Sequence, residues 1–341
     1  MALNISVVGA GIMGIMSAYT LQNSLPNTDI TLYDPKGFPA DNASCMAGGM
    51  LAPLSELDHM PIEYLDAGFE AINIWKSIEG NFEFTQNDSL IIAHNSDRHL
   101  LERFKSILPQ NDTWETINPQ TKETLINFQN GLIMKGEAHL HPQKAMETLL
   151  QKINHKQKQG VDIQKENADW VIDCRGLNAQ KDQPDLRGVK GETLIVHNPD
   201  FTLSRPVRLM HPRYPLYIVP REGSIFMIGA TIIESADDHL TVRSGLELMS
   251  ALYSLHPSFG DAQILSIKAG IRPSYPDNLP RITVNGNIIH ANGLFRHGYL
   301  CAPIMAKCIE SIVTGQDYEY NPLFIKENSD EHHSERQAAN T

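Results

Sequence analysis

The stretch NISVVGAGIMG, residues 4–14, decides how the rest of the chain is read. Residues 4–8 have the character of a buried parallel strand. Gly9, Gly11 and Gly14 follow in GxGxxG spacing and open a helix expected to run to about Leu25, with Ala18 small where it packs on the strand. A second strand, ITLYD, ends in Asp34, twenty residues after Gly14. Each part has a physical task. Gly9 makes the tight turn, Gly11 admits a pyrophosphate, and Gly14 lets helix and strand approach. The helix N-terminus stabilises phosphate charge, and the Asp34 carboxylate accepts from a ribose hydroxyl. Together they predict a dinucleotide site, with Ile12, Met13 and Pro35 among its contacts.

Downstream segments narrow the choice of dinucleotide. An NAD domain would complete its sheet locally with further βα units. Here DNASCMAGGMLAPLSE, residues 41–56, runs small and glycine-rich straight after Asp34. Within it Ala47, Gly48, Gly49 and Met50 would let backbone lie against a flat ring. ADWVIDCRG, residues 168–176, reads as a buried strand ending in a turn at Gly176 and able to return to the first sheet. Taken singly, each is also ordinary strand–turn structure. NGLFRHGYLCAP, residues 292–303, sets an arginine inside an apolar run between Gly293 and Gly298, and such an arginine normally has a fixed partner.

Bulk properties exclude several classes. The 341 residues carry 28 Lys and Arg against 40 Asp and Glu, a net charge of −12, with no basic cluster. Nucleic acid and anionic membrane surfaces are therefore poor partners. The four cysteines form no CxxC pair and sit in apolar contexts, which suits reduced, cytoplasmic thiols. The apolar N-terminus lacks the positive region of a signal peptide, and no other run reaches the roughly 18 residues of a membrane span. HLHP, residues 139–142, has HxH spacing, yet Pro142 suits a first helical turn, so it is read as a strand-to-helix junction and no metal is expected.

VVGAGIMG, AGGMLAP, DCRG, VKGE, YIVPR, GAT, AGIRP and GLFRHGYLCAP stand in this order along the chain. In that order they resemble the D-amino-acid oxidase family of flavoproteins, and within it the glycine oxidases that serve thiamine biosynthesis. The resemblance covers roughly residues 3–316. It implies FAD, held noncovalently. Sarcosine oxidases attach flavin through a Cys near the position of AGIRP, and AGIRPSYPDNLPRI contains none. It also implies that residues 293–300 line the flavin ring. Gly293 and Gly298 would allow close approach, and Leu294, Phe295, Arg296, His297, Tyr299 and Leu300 would supply contacts. Arg296 would stabilise the anionic reduced flavin and belong to the catalytic and substrate-binding set; the plainer alternative is an ion pair with a surface carboxylate. A helix from Ala302 to about Val313 would aim its N-terminus at the same region.

The resemblance places Arg272 and Tyr217 at the carboxylate-binding positions and Ile232 on the pocket wall. A planar guanidinium can hold a carboxylate bidentately. On the residues alone, Arg272 would read as a surface ion pair and Tyr217 and Ile232 as core. The implied reaction is hydride transfer from the α-carbon of a neutral amine to flavin N5. It would give imine or glyoxylate, ammonia and hydrogen peroxide, with oxygen as acceptor and the imine feeding the thiazole ring of thiamine. The rivals are a D-amino-acid or N-methyl amino-acid oxidase or dehydrogenase, and a flavin scaffold without turnover. Assembly as a homo-oligomer is left open. Family members carry a β-hairpin before the DCRG strand for which GVDIQKENADWVIDC leaves no room, so an adenine contact at Val161 or Ile163 stays unassigned.

The fold expected is α/β: a Rossmann-type FAD-binding domain interleaved with an antiparallel-sheet α+β substrate domain. The first takes residues 1–75, 136–190 and 286–320; the second takes 76–135 and 191–285; residues 321–341 read as a disordered tail. In the second domain NFEFTQNDSLIIAHN, residues 81–95, suggests a hairpin. GETLIV, LYIVP, SIFMIGATI and ILSIKAGIRP suggest strands, and GLELMSALYSLH an amphipathic helix.

Overall fold

The computed structural model describes residues 3–326 apart from 39–41, 123–124, 126, 159–167 and 213–214. Val161, Ile163 and most of the expected tail lie outside the described residues. The first layer is a six-stranded sheet in the order Arg281–Asn285, Ile288–Asn292, Trp170–Asp173, Asn4–Val8, Asp29–Tyr33, His155–Lys158. Neighbours run parallel, except that the 281–285 strand pairs antiparallel with 288–292. The 4–8 strand has the 29–33 strand on one side and the 170–173 strand on the other. Strand order reverses there, and a crevice opens at the carboxyl ends.

The helix after the first strand, Ile12–Ser24, is apolar almost all round because the sheet and the Pro142–Lys152 and Gly298–Thr314 helices cover it. The last of these begins four residues before the expected Ala302. Pro303 inside it has no N–H to offer the Tyr299 carbonyl one turn back. The Trp75 indole takes that carbonyl instead, donating at 2.8 Å, and this docks the Leu65–Ser77 helix on the same layer.

A nine-stranded sheet forms the second layer. Its main path runs Ile233–Glu234, Arg187–His197, Ile225–Gly229, Leu216–Arg221, Val207–Met210, Ser89–Ala93, Gly131–Met134, Trp114–Ile117. Gln263–Ser274 pairs along the length of Arg187–His197 with a bulge at Ile195/Val196. Only 207–210 with 89–93 is parallel. The Val242–Leu255 helix packs on this sheet through Leu248, Ala251, Leu252 and Leu255, which join Phe201, Phe226 and Phe259 in one apolar cluster. That i, i+3, i+4, i+7 spacing is the expected amphipathic stripe.

Two expectations need correction. Residues 81–95 form no hairpin: Thr85–Gln86 pairs with Ala138–His139 in a small three-stranded sheet, whereas Ser89–Ala93 enters the large one. Alternation within each run was legible, but the partners lie at 138–139 for the first run and at 131–134 and 207–210 for the second. The chain also stays folded past 320. Asn321–Phe324 is a short helix, Phe324 is buried edge-on against Tyr64 at 5.3 Å, and Ile325 bridges to Ile282.

Candidate active site

A cleft of about 410 Å³ opens where the first sheet's crevice faces the 187–197 and 263–274 strands. Its floor is the glycine loop. Gly9 has φ +104°, and a Cβ there would stand 2.3 Å from the Cys174 carbonyl oxygen. A Cβ on Gly14 would stand 1.9 Å from the Gly9 carbonyl oxygen. Gly14 therefore serves helix–strand packing and does not line the cleft, while Gly11, Ile12 and Met13 do. No acidic side chain occupies the first helical turn, which leaves its positive end to an anion. The Asp34 carboxylate accepts the Ala10 and Lys36 N–H groups, both at 2.8 Å. It holds the loop in shape and keeps acceptor capacity for a hydroxyl, since an ionised carboxylate offers about four lone-pair sites. Pro35 lies beside it on the cleft wall.

The second wall comes from residues 42–56. Ser44 Oγ accepts the Ile12 N–H at 3.0 Å, the Asn42 amide donates to the Ala10 carbonyl at 3.2 Å, and the Tyr299 hydroxyl lies 3.1 Å from the Ser44 carbonyl. Ala47, Gly48, Gly49 and Met50 line the cleft. The two glycines also have a packing reason of their own. The space a Cβ would take at Gly48 belongs to the Tyr217 ring, 2.7 Å away, and at Gly49 (φ +67°) to the Leu140 carbonyl oxygen, 2.2 Å away. Gly176 continues the wall after the 170–173 strand. Beneath it Asp173 is paired with Arg175 at 2.8 Å and His290 at 2.9 Å. Burial works against its charge, but those hydrogen bonds outweigh it and hold the pKa down to about 2.

Leu294, Phe295, Arg296, His297, Gly298, Tyr299 and Leu300 line the far side. Gly293 does not: its φ is +74°, and a Cβ would meet the Tyr275 ring at 2.1 Å, so that glycine makes room for a tyrosine. Arg296 lines the cleft and has a fixed partner. Neither free nor paired to an exposed surface acid, it is bound by the half-buried Glu56, with Nε 2.9 Å from Oε2 and Nη2 3.0 Å from Oε1. Burial pushes the Glu56 carboxyl up, yet the charges of Arg296 and Arg208 more than compensate and hold it below its ordinary range. His297 is buried with Nε2 lacking a hydrogen-bond partner among the described residues, and burial lowers its pKa to about 4. It is a neutral imidazole.

Arg272 and Tyr217 stand opposite this segment. The Arg272 guanidinium lies over Gly191, where a Cβ would be 2.2 Å from Nη2, and it donates to the Thr231 carbonyl at 3.1 Å. Tyr217 is hydrogen-bonded to it. Burial works against the guanidinium's charge, and no carboxylate pairs with it among the described residues. A small cavity of about 30 Å³ adjoins the cleft here, walled by Tyr217, Ile232, Arg272, Phe295 and Arg296 together with His59 and Arg208. Ile232 thus stands on this cavity, at 47% exposure, and not on the main cleft.

The sequence reading missed Glu56, Ser44, Asn42 and Thr231. Glu56 closes the glycine-rich run, but its partner is 240 residues away. Among the described residues no three His, Cys, Asp or Glu side chains gather as a metal site, and no helix is long and apolar enough to cross a membrane.

The cleft fits a long dinucleotide. It runs from the Asp34 carboxylate past an uncompensated helix N-terminus to the segment 294–300, where an aromatic and aliphatic wall suits a planar ring. Known proteins agree with this reading. A relative from Rhizobium etli, provisionally named thiamine biosynthesis oxidoreductase ThiO, is 39% identical over 89% of this chain and 94% of its own length. A glycine oxidase of Pseudomonas aeruginosa is 22% identical over 94% of this chain and 98% of its own. The crystal structure of a glycine oxidase from Geobacillus kaustophilus superposes with a TM-score of 0.81 over 95% of this chain and 99% of that one, at 17% identity. Residues 4–311 match the family model described as DAO, FAD dependent oxidoreductase. With its glycine loop, acid and ring-binding segment assembled on one cleft, this chain belongs to the DAO family of FAD-dependent oxidoreductases, with FAD as its cofactor.

Proposed function

We propose that this enzyme oxidises glycine and comparably small amino acids, with Arg272 as the anchor for the substrate carboxylate. The observation that carries the reading is the state of Arg272: a half-buried guanidinium, always protonated, with no carboxylate partner among the described residues. A buried charge is tolerated when something neutralises it, and a planar fork beside a tyrosine hydroxyl suits a carboxylate. Tyr217 would add a second donor, its ring fixed against Gly48 and Gly229.

Size supports a small substrate. A water-sized space takes about 10–15 Å³, so the 30 Å³ cavity holds a methyl group and little more. Anchored at Arg272, glycine would present its α-carbon to the cleft lined by residues 294–300. When bound, FAD supplies the two-electron acceptor at that wall. The chain's own part is to bind and orient the carboxylate. The neutral His297 offers no charge near a substrate amine, which must itself be unprotonated. Glycine then leaves as its imine, having lost a hydride and an amine proton; water converts the imine to glyoxylate and ammonia, and oxygen takes up the two electrons as hydrogen peroxide. The name of the Rhizobium relative supports delivery of the imine to the thiazole ring of thiamine.

Peroxide formation across glycine, sarcosine, D-alanine and larger amino acids tests the substrate, and anaerobic titration tests the anchor. Glycine should bleach the yellow protein. Arg272→Ala should weaken glycine by roughly 30-fold to several-thousand-fold, the cost of leaving one member of a desolvated charge pair alone. Arg272→Lys should recover only part, lacking the fork. Near-normal glycine affinity in Arg272→Ala would place the anchor elsewhere.

A further inference from the structure

Three guanidiniums, those of Arg208, Arg272 and Arg296, surround the 30 Å³ cavity beside the anchor. Two of them already hold carboxylates from this chain. Glu56 meets Arg296 by one hydrogen bond, Nη2 to Oε1 at 3.0 Å, and one charge contact, Nε to Oε2 at 2.9 Å. Asp58 meets Arg208 by two hydrogen bonds, Nη1 to Oδ1 at 3.0 Å and Nη2 to Oδ2 at 2.6 Å. Both acids lie on one turn, held by the His59 and Met60 N–H groups donating to the Glu56 carbonyl at 2.8 and 2.9 Å. The pairs are shielded: Arg208 and Arg296 side chains are 6% and 14% exposed, Glu56 and Asp58 12% and 26%. Burial lowers the pKa of His59, as it does that of His297, so both stay neutral and the arginines and acids leave one positive charge.

We propose that Glu56 and Asp58 are built-in carboxylates that fill the forks of Arg296 and Arg208, and so restrict this site to substrates with a single carboxylate. The inference rests on Arg272 as the substrate anchor. An α-carboxylate at Arg272 balances the remaining charge. A second carboxylate on the substrate would enter a partly desolvated cavity whose other two forks are taken, with Glu56 and Asp58 behind those forks as like charges. Specificity of this kind is set by what the site makes costly.

The test uses the FAD-loaded enzyme, with acetate and malonate as competitive inhibitors of glycine and D-alanine and D-aspartate as substrates. In the wild type acetate should compete and malonate should bind no tighter than acetate, with D-aspartate turned over far less well than D-alanine. Glu56→Gln keeps the shape and removes the charge. It should tighten malonate relative to acetate, and raise the D-aspartate to D-alanine ratio of kcat/KM, each by roughly tenfold or more. Asp58→Asn should shift both in the same direction, and decides the matter if Glu56→Gln does not fold. Unchanged ratios in the variants, or malonate binding tighter than acetate in the wild type, would overturn the proposal while leaving the anchor intact. Failure of acetate to compete at all would remove the Arg272 reading and this inference with it.

Discussion

Glu137 is the residue at which stability and pH meet. Its side chain is fully buried, accepting the Ser55 N–H and hydroxyl at 2.7 Å each. Burial raises its pKa to about 7 against partial compensation by Ser55 and Ser89. A folded value near 7 above an unfolded 4.5 means the folded chain holds the proton more tightly. This contribution to stability is fully present below 4.5 and is lost as pH rises through 7. Glu137→Gln keeps the acceptor and cannot titrate. The stability difference, wild type minus variant, should therefore fall on the order of 3 kcal/mol between pH 4.5 and 8. Urea unfolding of both proteins at several pH values checks it, and a difference independent of pH would show that the carboxyl is ionised throughout. His139 and His297, held near 4 by burial, act oppositely in both proteins and cancel in that difference. At this scale Arg272 and Tyr217 were legible as candidates only through the resemblance of AGIRP and YIVPR to the family's motifs, since on the residues alone they read as a surface ion pair and a core residue. Their setting was not legible: Gly191 beneath the guanidinium and Glu56 against Arg296 are products of tertiary approach.

One strand, Arg187–His197, separates two tasks by its alternation. Gly191 and Thr193 line the cleft, while Lys190 and Glu192 point to the other face, 3% and 0% exposed. Lys190 Nζ donates to Asp237 at 3.0 Å and to the His239 carbonyl at 2.8 Å, and stands 3.8 Å from Glu192. Neither Glu192 carboxylate oxygen has a hydrogen-bond partner among the described residues. Lys190→Met would strand that carboxylate and release the 235–239 loop, so it should cost about 3–5 kcal/mol. Adding Glu192→Leu should restore much of the loss, because replacing a whole buried pair by apolar groups is often neutral. Denaturant midpoints of the single and double variants decide this; a single variant within 1 kcal/mol of wild type would mean that water already serves Glu192. Elements were legible where period and caps agree. The 4–8 strand, the helix after it and the 242–255 helix fall where expected, within three residues. The early start of the 298–314 helix was hidden because an internal proline reads as a boundary unless something else takes the freed carbonyl. Trp75 does so here.

Over the whole molecule, the cleft is lined by residues from 9–56, 174–178, 191–217 and 269–300. The order of motifs along the chain foretold this interleaving. The entry of 281–285 into the first sheet was not foretold, since an apolar strand does not state which sheet edge it joins. A ligand touching all these segments binds the folded chain and has nothing to hold in the unfolded one. FAD at 100 times its Kd should then add about 2.7 kcal/mol, and each further tenfold about 1.4 kcal/mol. Thermal scans of protein stripped of flavin should show Tm rising by several degrees as FAD is restored, with no plateau at stoichiometric addition. Such a response requires noncovalent flavin. Among the four cysteines only Cys174 lines the cleft, and burial pushes its thiol far above its ordinary pKa, so it lacks the thiolate character of a nucleophile. Acid precipitation should therefore leave a colourless pellet and a yellow supernatant. Flavin retained on the pellet, or a Tm indifferent to added FAD, would show that the cofactor is attached or that it does not tie these segments together.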